Sequence, residues 1–319
     1  MIILPQYISV SGANPTSEQH LSRSDLTRCD LTAYGRNVNG TSNHQTHLRT
    51  WLITGATSGI GRELTLQALE NGDTVSALAR DTSSLDELVQ AHGERLLLIQ
   101  ADVRDERAVR DAVEGTLARF GRIDVVANNA GYGLFGAVEE ASDTQVRAVF
   151  DTNVFGVLNV LRATLPVLRA QRSGHILQGS SVYGQSAHPG VGLLAATKYA
   201  VEGLSDALAA EVAPLGIKVT IIQPGLTATP FLANLDVAAG LGDYDQTVRE
   251  VQKGIGELPA SAFSAAARIA AGIRTAVDSP NPPLRLALGA SSATGMRPAL
   301  EARIADLDSW QRVTDAVDR

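Results

Sequence analysis

The sequence has almost no cysteine: Cys29 is the only one in 319 residues. An intrachain disulfide is therefore excluded, and a reducing compartment, the cytoplasm, is expected. The chain also lacks any block of Lys and Arg, and its formal net charge is −7. A chain of that balance is not expected to bind nucleic acid or anionic membrane surfaces. No apolar run approaches the ~20 residues that cross a bilayer, so no membrane span is expected. The opening MIILPQYISV is short, carries no basic residue and leads into no clear cleavage site, which argues against a signal peptide. No internal repeat is present.

What the chain does contain is ordinary globular material, 44% hydrophobic and 19% charged, with length enough for a large core. Residues 1–50 stand apart. They are rich in Ser, Thr, Asn, Gln and His, show no apolar periodicity, and are read as a disordered N-terminal tail. His44 and His47 lie there, but no third ligand stands at a metal-binding spacing, so no metal site is expected. From Trp51 short apolar runs recur: WLITG, TVSALA, LLLIQ, IDVVA, HILQG, IKVTII and LRLAL. Runs this apolar suit strands buried on both faces. Between most of them apolar residues recur at helical spacing, as in Ile60, Leu64, Leu66, Leu69 and in Val109, Val113, Leu117, Phe120. Strand alternating with helix predicts an α/β domain over 51–319, with about seven parallel strands, helices on both faces and right-handed connections. Gly72, Gly121, Gly174 and Gly216 fall where a glycine ends a helix before the next strand. Residues 226–262 are less regular. They read either as a lid over a ligand or as a plain surface insertion, and 296–314 is predicted to form a closing helix.

The stretch WLITGATSGIGREL carries the most information. An apolar strand ends at Thr54, and glycines follow at 55, 59 and 61, the last opening a helix. Gly55 permits a tight turn, Gly59 lets backbone approach a phosphate, and Gly61 lets the helix pack closely on the strand. Free N–H groups and the helix dipole then favour a pyrophosphate. With NNAG at 128–131, TNVFG at 152–156, GSSVYG at 179–184 and PGLTATPF at 224–231, the chain resembles the short-chain dehydrogenase/reductase family. The resemblance covers about Trp51 to Val313. It implies a single doubly wound Rossmann-type domain that binds a nicotinamide dinucleotide. The implied cofactor contacts are Gly55, Thr57, Ser58, Gly59, Ile60, Gly61, Asp102, Val103, Asn129, Ala130, Gly131, Lys198, Pro224, Gly225 and Thr229.

Cofactor choice turns on the end of the second strand, SALARD. Where NAD-preferring relatives have aspartate this chain has Ala79, followed by Arg80. An acidic residue there accepts from the ribose 2′-hydroxyl, whereas the planar fork of an arginine suits a 2′-phosphate. NADP(H) is therefore predicted over NAD(H). The alternative is that Arg80 merely pairs with Asp81. Asp102 is implied to contact the adenine, and capping the next turn is an equally physical role for it.

In the family a tyrosine transfers a proton while a hydride passes between substrate and nicotinamide. A lysine four residues later lowers the tyrosine pKa and holds the ribose, a serine holds the substrate oxygen, and an asparagine supports a water relay. The resemblance places the serine at Ser181, the asparagine at Asn153 and the lysine at Lys198. The structural alternatives are a turn for Ser181, a backbone brace for Asn153 and a solvated lysine for Lys198. The tyrosine position holds Leu194, which has no proton to give. Tyr183 is the candidate substitute donor; the alternative is an aromatic wall. Leu134, Phe135, Tyr183, His188 and segment 226–262 are expected to line the pocket, and they suggest a small apolar carbonyl or alcohol substrate. The reading is an NADP(H)-dependent oxidoreductase. Its alternatives are an NADP(H)-binding protein inactive in hydride transfer and a non-redox enzyme on the same scaffold. The resemblance also implies a homodimer or homotetramer built on the helices near 152–172 and 196–213; the alternative is that the C-terminal extension covers that surface.

Overall fold

The structure, a computed structural model, describes residues 48–318. The tail expected over 1–50 falls almost wholly outside the described residues, as do Cys29, His44 and His47. Seven strands form one parallel sheet: β1 (Thr50–Thr54), β2 (Thr74–Ala79), β3 (Leu96–Gln100), β4 (Val125–Asn128), β5 (Gly174–Gly179), β6 (Ile217–Pro224) and β7 (Arg285–Leu288). Their spatial order is β7-β6-β5-β4-β1-β2-β3. The chain starts at the centre, winds outward through β2 and β3, then crosses back to β4 and winds the other way. The strand order therefore reverses between β1 and β4, where parallel register sets Ile53 beside Ala127. Ligands bind at such a point, outside the carboxyl ends of the strands.

Both faces of the sheet are covered, which is why the strands read as unbroken apolar runs. Trp51, Ile53, Val75 and Ala77 pack on one face with α1 (Gly59–Glu70), α2 (Asp86–His92) and a later helix, Ala266–Asp278. Leu52, Leu78, Val126 and Ile176 pack on the other with α3 (Glu106–Phe120), α5 (Gly156–Gln171) and α6 (Gly192–Val212). Between α4 (Asp143–Phe150) and α5 the helix widens into one π turn, Asp151–Phe155, which contains Asn153. The β1 strand is anchored at its start. The Trp51 indole donates to Asp73 (2.9 Å), the Arg49 N–H donates to the same carboxylate (3.0 Å), and Asp124 accepts from Thr50 N–H (2.9 Å).

Two expectations are corrected. The left-handed residue that ends α5 is Arg172 (φ 55°), not Gly174, which already begins β5. The closing helix is longer than 296–314: α9 runs Ala290–Ser309, with α10 at Gln311–Ala316 (α7 is Glu250–Gly256 and α8 is Ala266–Asp278). Its first turn has no apolar pattern and is held by tertiary bonds instead. Buried Ser292 donates to Gln223 O (2.7 Å), and Ser291 Oγ accepts from Leu226 N–H (3.0 Å).

Candidate active site

The glycine loop after β1 and the turn after β4 are tied together across the reversal point. Thr54 Oγ1 donates to Ala127 O (3.2 Å) and accepts from the N–H groups of Asn129 and Ala130 (3.0 Å each). Asn129 Nδ2 returns bonds to Thr54 O (3.1 Å) and Gly55 O (3.2 Å). Gly61 lies behind this junction. A Cβ there would stand 2.2 Å from Gly55 O and 2.5 Å from Asn129 Nδ2, so only glycine lets α1 sit this close. Gly59 has φ +52°, and its added Cβ would meet Thr229 at 3.0 Å. Ser58 at the start of α1 makes no side-chain cap, leaving the first-turn N–H groups without that partner. A glycine cradle and an uncapped helix N-terminus fit a pyrophosphate.

A cavity of about 820 Å³ opens over these loops. Every predicted cofactor and catalytic residue lines it except Gly61 and Asn153. Asn153 is buried and braces the turn beneath. It accepts from Tyr132 N–H (3.1 Å) and donates to Tyr132 O (2.9 Å) and Thr197 Oγ1 (3.1 Å). Leu134, Phe135 and His188, expected on the wall, stand outside it. Leu134 and Phe135 are buried, and Phe135 packs under Val191 and Val248. Segment 226–262 does reach the cavity, through Phe231, Leu232, Leu235 and Ile255 among others.

At the end of β2, exposed Arg80 makes no ion pair among the described residues, and the Asp81 carboxylate accepts from Ser83 N–H (3.0 Å) instead. Asp102 is gripped by Arg104, whose Nε donates to both its oxygens (3.0 and 3.1 Å) and whose Nη2 donates at 2.6 Å. That clamp pulls the Asp102 carboxyl below its ordinary range. Arg104 also lines the cavity and was missed, because nothing in ADVRD marks it as more than a surface charge.

At the other end, Ser181 opens a short turn: its carbonyl accepts from Gly184 N–H (2.9 Å), while its hydroxyl makes no cap. Lys198 is half-buried, and its Nζ donates to Gly179 O (2.9 Å). Burial pushes its pKa down to about 8. Leu194, one turn earlier on α6, is buried and lines the same cavity. The Tyr183 hydroxyl meets His188 Nε2 at 2.7 Å, and burial pushes the phenol up to about 12. His188 Nδ1 lies 3.0 Å from Pro189 O, which can only accept. With burial holding His188 below its ordinary pKa, Nδ1 carries the proton and Nε2 accepts from Tyr183. A second group missed from sequence is Glu202, one turn after Lys198. Its buried carboxylate accepts from Ser180 Oγ (2.6 Å), Gln185 Nε2, Gln223 Nε2 and Arg285 Nε (2.9 Å each). It thus grips both ends of the loop that carries Ser181 and Tyr183.

A family model described as short chain dehydrogenase matches residues 49–239. The chain belongs to the short-chain dehydrogenase family. It is an oxidoreductase of that type. A relative named oxidoreductase BOA17, from Botryotinia fuckeliana, is 37% identical over 83% of this chain and 97% of its own length. A 3-ketodihydrosphingosine reductase from Bacteroides thetaiotaomicron is 36% identical over 81% of this chain and 91% of its own. Among solved structures, a short-chain dehydrogenase from Streptomyces avermitilis superposes with a TM-score of 0.80 at 37% identity, covering 85% of this chain and all of that one. Two further solved structures, each 26% identical, hold nicotinamide cofactors. ElxO has NADP bound (TM-score 0.65, 77% of this chain, 99% of that one). A 3-ketoacyl-(acyl-carrier-protein) reductase from Brucella melitensis is complexed with NADH (TM-score 0.66, 76% of this chain, 98% of that one).

Proposed function

We propose that the protein transfers a hydride between NADP(H) and a carbonyl or hydroxyl group of a small apolar substrate, in the cytoplasm. The observation that carries this reading is one cavity wall on which Ser181, its hydroxyl not engaged in capping, and Lys198 both stand, reached from the glycine loop. When bound, the dinucleotide supplies or receives the hydride. Gly55, Thr57–Gly59 and the start of α1 hold its pyrophosphate. Arg80, free of the Asp81 partner that was its alternative, holds a 2′-phosphate and favours NADP(H). Lys198 holds the nicotinamide ribose, Ser181 holds the substrate oxygen, and Asn153 keeps the turn below them in place. Phe231, Leu232, Leu235 and Ile255 form apolar walls that suit an apolar substrate. Copies associate through α5 and α6, where Phe155 (54% exposed), the last residue of the π turn leading into α5, and Tyr199 (38%) on α6 present apolar surface.

Leu194 occupies the place of the family's proton-donating tyrosine, and its side chain cannot take part in proton transfer. Tyr183, two residues after Ser181, supplies the proton; Tyr132 lines the same cavity. Its O–H points to His188, so it must turn away to serve the substrate, and turnover is expected to be slow. The test follows NADPH oxidation by the purified chain with a panel of aldehydes, ketones and quinones. Slow turnover is expected, falling at least ~10-fold in Tyr183→Phe and rising ~10²-fold or more in Leu194→Tyr. Bound NADPH with no oxidation of it by the natural chain would overturn hydride transfer. Turnover unchanged in Tyr183→Phe would overturn the role of that phenol alone.

A further inference from the structure

Tyr183 faces the cavity, and His188 stands behind it, off the cavity wall and half-buried between exposed Ala187 and Pro189. The phenol oxygen and imidazole Nε2 meet at 2.7 Å, with the ring planes 82° apart and their centres 5.1 Å apart. One loop carries both, and it is pinned on each side of the pair. Glu202 binds Ser180 and Gln185, on either side of Tyr183. Beyond His188, Gly190 O accepts from Gly136 N–H (2.8 Å), and Gly190 (φ +90°) lies against the Phe135 ring, where a Cβ would not fit. The surroundings are apolar, made by Phe135, Ala137, Val191 and Val248. The other titratable groups at this cluster are already paired: Tyr244 donates to Glu139, and Glu140 binds Arg249. Among the described residues no charged side chain shifts Tyr183 or His188.

Such a pair passes a proton in a definite direction. His188 Nδ1 donates to Pro189 O, so Nε2 is the acceptor and holds the Tyr183 proton. The phenol oxygen then keeps lone pairs for a donor in the cavity. An alcohol is such a donor, and a carbonyl oxygen is not. We propose, on the hydride-transfer reading above, that Tyr183 and His188 form a proton relay in which His188 is the positioning residue that sets which way the phenol proton points. In alcohol oxidation the substrate O–H bond breaks and its proton goes to the Tyr183 oxygen, as the Tyr183 proton goes to His188 Nε2. The hydride leaves the substrate carbon for the oxidised nicotinamide, the carbonyl forms, and the imidazolium returns its proton to water. In carbonyl reduction the same bonds are remade in reverse. The imidazolium Nε2–H donates to the phenol oxygen, the phenol O–H turns to the cavity, and its proton goes to the substrate oxygen. A phenol alone is a poor base here, since burial pushes it up to about 12. With His188 behind it, Tyr183 passes the proton on and never carries the charge.

Nitrogen NMR of the isotopically labelled full chain, without cofactor, reads the pair directly. The His188 signals are assigned by their loss in His188→Gln. The Nδ1–H tautomer is expected above the His188 pKa, and its Nε2 signal should move in Tyr183→Phe. The Nε2–H tautomer, or an Nε2 signal indifferent to Tyr183→Phe, would overturn the relay. Turnover reads its use, with rates followed on both sides of pH 6.5 for the fastest carbonyl compound of the panel and for the alcohol it yields. Burial holds the His188 pKa below the ordinary 6.5. NADPH oxidation should rise as pH falls through that lowered value, and alcohol oxidation should rise as pH increases through it. His188→Gln keeps an acceptor for the phenol but has no titrating ring. In it both of these limbs should vanish and alcohol oxidation should fall ~10-fold or more, while a limb set by Lys198 near about 8 should stay. Unchanged NADPH binding confirms that this variant folds. Equal pH profiles in the two chains would overturn the relay and leave hydride transfer standing. A natural chain that binds NADPH and turns over in neither direction would overturn both.

Discussion

Lys198 is a lysine whose position costs stability. Its ammonium sits against the protein with one backbone acceptor, Gly179 O, and burial lowers its pKa to about 8. A solvated helix lysine would keep its ordinary value, so the shift beside a cavity supports the ribose-holding role proposed for Lys198 over that of a surface charge. Leu194, one turn earlier, is the converse: a buried leucine in ordinary apolar surroundings, which in the proposed function stands where a phenol would be needed. Arg80 directly follows a strand end, makes no ion pair among the described residues, and in the proposed function holds a 2′-phosphate. Arg80→Ala is expected to weaken NADPH binding ~10–100-fold, the loss of a charge-assisted contact, and to leave NADH binding unchanged. Fluorescence titration with both cofactors checks this; equal loss for both would remove Arg80 as the selector.

At the scale of elements, α6 brings Leu194, Lys198 and Glu202 to one side by a four-residue spacing, close to one helical turn. That spacing is written in the sequence, but the partners of Glu202 are not, since they come from three other elements. The segment after residue 226 shows the same division. Its irregularity is visible in GLGDYDQT, yet what holds it down is Glu140, 109 residues from Arg249. The buried Glu140 carboxylate accepts from Ala137 N–H and Leu241 N–H (2.7 Å each) and from Arg249 Nη2. The Arg249 bond, helped by the two N–H groups, lowers its pKa from 4.5 to about 2. A depressed carboxyl pKa means that the stabilisation is complete above about 4.5 and is lost as pH falls toward about 2. Glu140→Gln should speed hydrogen exchange around Leu241 and raise KM more than it lowers kcat. It should also remove the part of acid sensitivity that falls in this pH window. Unchanged exchange around Leu241 would show that Glu140 does not hold this segment.

At the scale of the whole molecule, the sheet is a wall with a core on each side, and its central strand tests that directly. Leu52 and Ile53 are neighbours on β1, point to opposite faces, and are both fully buried. Leu52→Ala and Ile53→Ala are each expected to cost ~2–5 kcal/mol. Denaturant unfolding measures it, and a sheet with one wet face would make one of the two nearly free. The strands, their order in the chain and the glycine loop between the first strand and the first helix were readable in advance. They rest on short-range facts: apolar runs buried on both faces, turns that only glycine makes, spacings within one helix. The tertiary structure alone decided that Asn153 and Gly61 stand behind the cavity rather than on it. It alone took Leu134, Phe135 and His188 off the wall and started α9 at Ala290. Each of these depends on groups brought together by packing or held in place by it. An amino-acid sequence writes the local preferences of a side chain, but its distant neighbours exist only once the chain has folded.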